Sequence, residues 1–190
     1  MKSKYIPPKE LEAIKNALGT DLWLPFEVSL VTGLRIGDVL KIRPCDFVTG
    51  NRLVYVAEKT GKRGFAKLPA ALIGQLQKNS RCTRWCFPSP KNPQKHLTRQ
   101  AAHARIKKGA KMAKISNFGI SPHSFRKNFA VGLYHDTDIG TVKNALQHTN
   151  NTTAQIYALA DWLTGENAKK PLRRGDIDKI VEAVVRALDR

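Results

Sequence analysis

Arg35, Lys59, His123, Arg126, His148 and Tyr157 together supply what transesterification at a phosphodiester requires. The phosphorane-like transition state of that reaction gathers negative charge on the non-bridging oxygens, and guanidinium forks are fixed, permanently charged donors for them. Arg35 and Arg126 suit that task. A tyrosine hydroxyl, which ordinarily titrates near a pH of about 10, is a poor nucleophile at neutral pH and needs a base or a strongly positive surround. Tyr157 is the candidate nucleophile, and His123, three residues before Arg126, is the candidate proton acceptor. The departing 5′-hydroxyl needs a proton, which Lys59 on the basic turn KTGKRG is placed to donate. His148, close before Tyr157, adds a hydrogen-bond donor for the phosphate. Met alone, each residue has an ordinary structural explanation; the set is what carries weight.

The elements that must bring these residues together can be read in order. Pro7-Pro8 followed by KELEAIKNALG reads as a helix with proline in its first turn, Leu11, Ile14 and Leu18 on one face and Gly19 as its stop. A second helix is expected from Asp21, as N-cap, to Thr32. Gly33 breaks it and the next begins near Arg35, with Asp38 three residues on, close enough to meet the arginine on a helix. Arg52–Glu58 and Phe65–Leu68 form the arms of a β-hairpin, in which Leu53, Tyr55 and Ala57 alternate with Arg52, Val54 and Val56. A short helix follows from Ala70 to Lys78, then a Pro- and Ser-rich loop with one extended piece at Trp85–Phe87. Thr98 caps a basic helix running to Ile115, whose Arg99, Arg105, Lys107, Lys108, Lys111 and Lys114 cannot all face a core. Pro122 opens the helix that carries His123 and Arg126, with Phe125, Phe129, Leu133 and Tyr134 as its buried side. Asp138 caps a helix to Gln147, and Asn150 or Asn151 caps the one that carries Tyr157. The fold class is mainly α with a small antiparallel β-sheet or hairpin (α+β).

Composition narrows the partner. The chain has 190 residues, and 33 Lys+Arg against 15 Asp+Glu give a net charge of +18, a bias toward polyanions and so toward nucleic acid. The basic residues are spread along the chain, no apolar run approaches bilayer length, and MKSKYIPPKE has no signal-peptide core, all of which speak against a membrane partner. Cys45, Cys82 and Cys86 are odd in number and lack CxxC spacing, which suits a reducing interior and not a zinc site. Lys62, Arg63, Arg99, Arg105, Lys107 and Lys108 are the expected phosphate contacts.

In order along the chain, TGLRIGDVLKI, KTGK, HSFR, LQHT and QIY resemble the boxes of the tyrosine recombinases, or phage integrases. The resemblance runs from the first helix to Leu163. It implies a DNA breaking-rejoining catalytic domain that needs neither metal nor nucleotide cofactor: Tyr157 forms a 3′-phosphotyrosyl bond and releases a 5′-hydroxyl, whose later attack reverses the step. Asp38 resembles the acidic residue that buttresses the first arginine, a supporting role. Site-specific recombination by integration, excision or inversion is the expected function, on double-stranded DNA, as a tetrameric synapse there and a monomer when free. The expected location is cytoplasmic, with nucleoid or phage DNA. The alternatives are an accessory DNA-binding protein without strand cleavage and a type IB topoisomerase. Gln147 stands where many members have Gly, and Lys127-Asn128 where His-Thr or His-Ser is common. The N-terminal DNA-binding domain of most members is lacking, so the chain is expected to be a piece of a longer protein or a short member like the fimbrial phase-variation recombinases. Either should bind DNA modestly and with strong salt dependence. The expected organisation is a catalytic domain over 1–163, a linker over 164–175 and an amphipathic helix over 176–190 that packs in cis or exchanges onto a neighbouring protomer.

Overall fold

The structure is a computed structural model that describes residues 3–80 and 84–136, with side chains as far as residue 133. The chain divides into two compact units, Met1–Phe129 and Ala130–Arg190, and almost all that is described belongs to the first. His148, Tyr157, Cys82, the helices expected after Asp138, the linker and the final helix lie outside the described residues.

Two helices open the fold. α1 (Pro8–Leu18) takes its first turn from proline and buries Ile14 and Leu18; α2 (Thr20–Thr32) follows at once. Gly19 ends the first and caps the second, its carbonyl accepting from Trp23 N at 3.1 Å. Asp21 is therefore not the cap expected of it: it lies in the first turn, where its charge favours the positive end of the helix without closing it. α3 (Ile36–Val39) is a single turn, followed by a short 3-10 turn (Pro44–Asp46) in which Asp46 Oδ2 accepts from Arg43 N at 2.8 Å.

The expected hairpin is part of a three-stranded antiparallel sheet, with β1 (Phe47–Val48), β2 (Arg52–Val56) and β3 (Arg63–Lys67) in that order. The register pairs Val54 with Phe65 and Tyr55 with Gly64. The turn is tighter than KTGKRG suggests. Ala57 N bonds Lys62 O at 2.9 Å, and Ala57 O accepts from Gly61 N at 2.8 Å, which leaves Glu58–Gly61 as the loop and puts Arg63 and Gly64 in the strand.

α4 (Ala70–Asn79) leads to a second, two-stranded sheet of β4 (Pro88–Ser89) and β5 (Asn92–His96). These strands lie just beyond Trp85–Phe87, the piece expected to be extended. Pro93 is tolerated because β5 is exposed and pairs on one side only. α5 (Arg99–Met112) begins as expected, with the Thr98 hydroxyl accepting from Ala101 N at 3.1 Å, and ends three residues early where Lys114 turns to φ 56°. α6 (Pro122–Asp136) completes the described elements.

One apolar core gathers Ile14 and Leu18 from α1, Phe26 and Val28 from α2, Leu53 from β2, Leu72 and Leu76 from α4, Ile106 from α5 and Phe125 from α6. α1 and α5 lie so close that a β-carbon at Gly109 would meet Leu18 Cγ at 2.6 Å. Phe125 stacks on Phe26 (centroids 4.8 Å, 25° between planes) and meets Trp23 edge-on at 5.4 Å, which ties α6 to α2. Among the described residues no helix is long and apolar enough to cross a membrane.

Candidate active site

The turn between α2 and α3 is where the sequence TGLR acquires its shape. Gly33 sits in the left-handed region at φ 67°, which a β-carbon would strain, and Phe129 occupies the space a side chain there would need. Thr32 Oγ1 accepts from Leu34 N at 3.2 Å, and Ser29 Oγ donates to Leu34 O at 2.8 Å, so both hydroxyls hold the bend from inside the core. Arg35 then caps α3, its carbonyl accepting from Asp38 N (2.8 Å) and Val39 N (3.0 Å) while its half-buried side chain points into a cleft.

Arg126 reaches the same cleft from α6, next to the Phe125 that anchors the helix. It is 3% exposed, and its Nη1 donates to Gly33 O. A cation thus satisfies a carbonyl at the C-terminal end of α2, where the helix dipole favours positive charge. Lys59 arrives on the exposed Glu58–Gly61 turn, and His123 from the first turn of α6. Arg35, Lys59, His123 and Arg126, spread over 91 residues of sequence, line one cleft of about 840 Å³. α5 closes its remaining side with Arg99 and His103. Four cationic side chains (Arg35, Lys59, Arg99, Arg126) face two carboxylates (Asp38, Glu58) across it, an environment that favours an anionic ligand.

Asp38 is buried, and among the described residues no ion pair joins it to Arg35. Its Oδ1 instead accepts from Glu58 N at 3.0 Å, so the support it gives runs to the base of the hairpin turn beside Lys59. His123 is exposed toward the cleft, yet loss of hydration lowers its pKa below 6.5, and the charges of Arg126, Arg35 and Lys127 push it the same way. Its imidazole is neutral at pH 7 and able to accept a proton. The remaining expected phosphate contacts divide: Lys62, Arg63 and Lys108 are exposed, Arg105 is half-buried, and Lys107 Nζ donates to Asn117 O at 2.5 Å.

Three neighbours of the site, Tyr55, His103 and Glu58, do not stand out in the sequence. Tyr55 is half-buried on β2; burial raises its pKa above 10, with Asp38 acting the same way and Arg126 and Arg35 opposing, so it is a neutral phenol beside both arginines. The strand alternation that places it with Leu53 is the available signal. His103 lies four residues after Arg99, hence on the same helix face. Glu58 precedes Lys59 directly. Asn128 clasps the N-terminal segment, with Oδ1 accepting from Ile6 N at 3.1 Å and Nδ2 donating to Ile6 O at 2.6 Å. That pair of bonds gives the departure at Asn128 a physical purpose.

The phage integrase family profile matches residues 4–162. The tyrosine recombinase XerD of Yersinia pestis is 28% identical over 171 residues, covering 81% of this chain and 56% of its own. The chain spans about half the length of the curated relatives it matches. Among solved structures, the XerH site-specific recombinase bound to palindromic difH substrate aligns with a TM-score of 0.70 at 20% identity, covering 89% of this chain and 53% of that one. A lambda integrase (75–356) dimer bound to a COC′ core site aligns at 0.69 with 19% identity, covering 83% and 59%. At these identities the structural likeness is one of fold. The family match takes in both arginines and reaches past Tyr157, and with it the chain belongs to the phage integrase family.

Proposed function

We propose that this chain is the catalytic part of a site-specific tyrosine recombinase, which cuts and rejoins double-stranded DNA in the cytoplasm. The observation that carries the reading is the meeting of Arg35, Lys59, His123 and Arg126 around one cationic cleft in a member of this family. In the proposed step the Tyr157 oxygen attacks the scissile phosphorus, the bond to the 5′ oxygen breaks, and a 3′-phosphotyrosyl bond holds the strand. Neutral His123 takes the phenolic proton, and the Lys59 ammonium protonates the leaving 5′ oxygen. Arg35 and Arg126 offer donors to the non-bridging oxygens as their charge grows, with a hydrogen bond from His148 beside them. Asp38 positions the hairpin through Glu58 N. Attack by a 5′-hydroxyl on the phosphotyrosine reverses the step, so the phosphodiester energy is conserved without metal or nucleotide. A tetramer on two duplexes, with residues 176–190 packed in cis or exchanged, is the proposed assembly.

The test is incubation with nicked suicide duplexes carrying the candidate site, followed by denaturing electrophoresis. A protein–DNA adduct that is absent with Tyr157→Phe is expected. Binding without an adduct on any cognate site would favour an accessory protein, and relaxation of supercoils without site preference would favour a topoisomerase.

A further inference from the structure

The cleft has a carboxylate at its mouth. Glu58 Oε1 lies 3.0 Å from Lys41 Nζ and 4.0 Å from Arg99 Nη2. Its backbone N–H is held by Asp38, so the side chain starts from a fixed point. Gly37 leaves it room: a β-carbon there would stand 3.3 Å from Arg99 Cδ and 3.4 Å from Glu58 Oε2. The hairpin turn, the α3 turn and the first turn of α5 therefore converge on one negative charge.

That charge has the wrong sign for a site that receives a polyanion. The hydrogen bond and charge of Lys41, with Arg99 and His96 behind them, lower its pKa and keep it ionised. Both ion pairs join side chains 43% exposed or more, where such pairs contribute little and are cheaply exchanged. At 4.0 Å the Glu58 carboxylate does not form a bidentate pair with the Arg99 fork, whereas a DNA phosphate drawn up against that fork accepts two parallel bonds.

We infer that Glu58 is a placeholder for a DNA phosphate: it partly neutralises Arg99 and Lys41 in the DNA-free protein and gives them up when a phosphate reaches the mouth of the cleft. It takes no part in the chemistry. It sets the strength of duplex binding by a counter-charge that must be displaced, so loose encounters with DNA are weakened more than docked ones. The inference rests on the reading of the cleft as a phosphodiester site.

The test uses the full chain and a fluorescein-labelled duplex of unrelated sequence, with anisotropy followed across a salt series. Glu58→Gln keeps the shape of the side chain and removes the charge. Roughly 3- to 10-fold tighter binding at low salt is expected, with log K against log salt steeper by about one phosphate contact. In an Arg99→Gln background the same substitution should give less than half that gain on a logarithmic scale. Unchanged affinity and slope in Glu58→Gln, or an undiminished gain in the Arg99→Gln background, would overturn the inference. If neither wild type nor Glu58→Gln holds the duplex at low salt, the underlying reading of the cleft fails, and the inference with it.

Discussion

Arg126 and Lys59 face one cleft from opposite ends of the burial scale. Arg126 is 3% exposed, bonded to the end of α2 and adjacent in sequence to a phenylalanine stacked in the aromatic core. Lys59 stands on an exposed four-residue turn tied to the rest of the fold by the bond from Glu58 N to the Asp38 carboxylate and by the exposed ion pairs of Glu58 with Lys41 and Arg99. The difference matches the two tasks proposed for them. Charge stabilisation works best when donors are aimed before the substrate arrives, so their reorganisation is already complete. A proton donor need only reach the leaving oxygen, and a short surface turn with few buried contacts is the kind of element that adjusts at low cost.

Breaking the buried side should have the larger effect. Arg126→Ala and Arg35→Ala are each expected to lower cleavage roughly 10²–10³-fold while most duplex binding survives. Parallel single-turnover and anisotropy measurements read this, and equal loss of both would make the arginines simple anchors. Gly33→Ala comes next. It forces a side chain into a left-handed bend already filled by Phe129, with an expected loss of roughly 2–4 kcal/mol in urea unfolding. A loss below about 1 kcal/mol would mean that the bend relaxes easily and that Arg126 is not rigidly aimed.

On the hairpin side, Asp38→Ala removes the acceptor of Glu58 N, at an expected cost of about 1–3 kcal/mol. Asp38→Asn, which keeps an acceptor oxygen, should recover most of it. If the two variants unfold alike, the bond does not position the turn. The smallest effect is in pH. The lowered pKa of His123 leaves the ring neutral and able to accept a proton from neutral pH down through 6.5, so the acid limb of the cleavage rate should lie below that value. Stability follows the same sign. The unfolded chain takes up the proton first, so stability declines as pH falls from 6.5 through the lower folded value, with no matching loss on the alkaline side. An acid limb above 6.5 would remove His123 as the base.

Local signals are legible where one residue decides the structure. Pro8, Thr98 and Pro122 open helices as expected, and Gly33 ends one. Asp21 misleads because Gly19 both ends α1 and starts α2, leaving no separate cap to fill. Asn92–His96 carries no strand pattern; backbone bonds of the neighbouring loop, Cys86 N to Ile42 O at 2.9 Å and Leu97 N to Phe87 O at 2.7 Å, tie its surroundings to the core. The clasp of Asn128 on Ile6 spans 122 residues, and only the folded chain reveals it. Much the same holds for the site. Residue types point to Arg35, Lys59, His123 and Arg126, but the contacts of Asp38 and Glu58 depend on how three elements meet, which no spacing encodes.

The central claim is that the cationic cleft serves attack by Tyr157, and mapping the covalent link tests it most directly. After a suicide substrate is trapped, nuclease and protease digestion with mass spectrometry should find a nucleotide 3′-phosphate on the peptide containing Tyr157, and the released strand should carry a 5′-hydroxyl. Attachment at another side chain, or to a 5′-phosphate, would contradict the account.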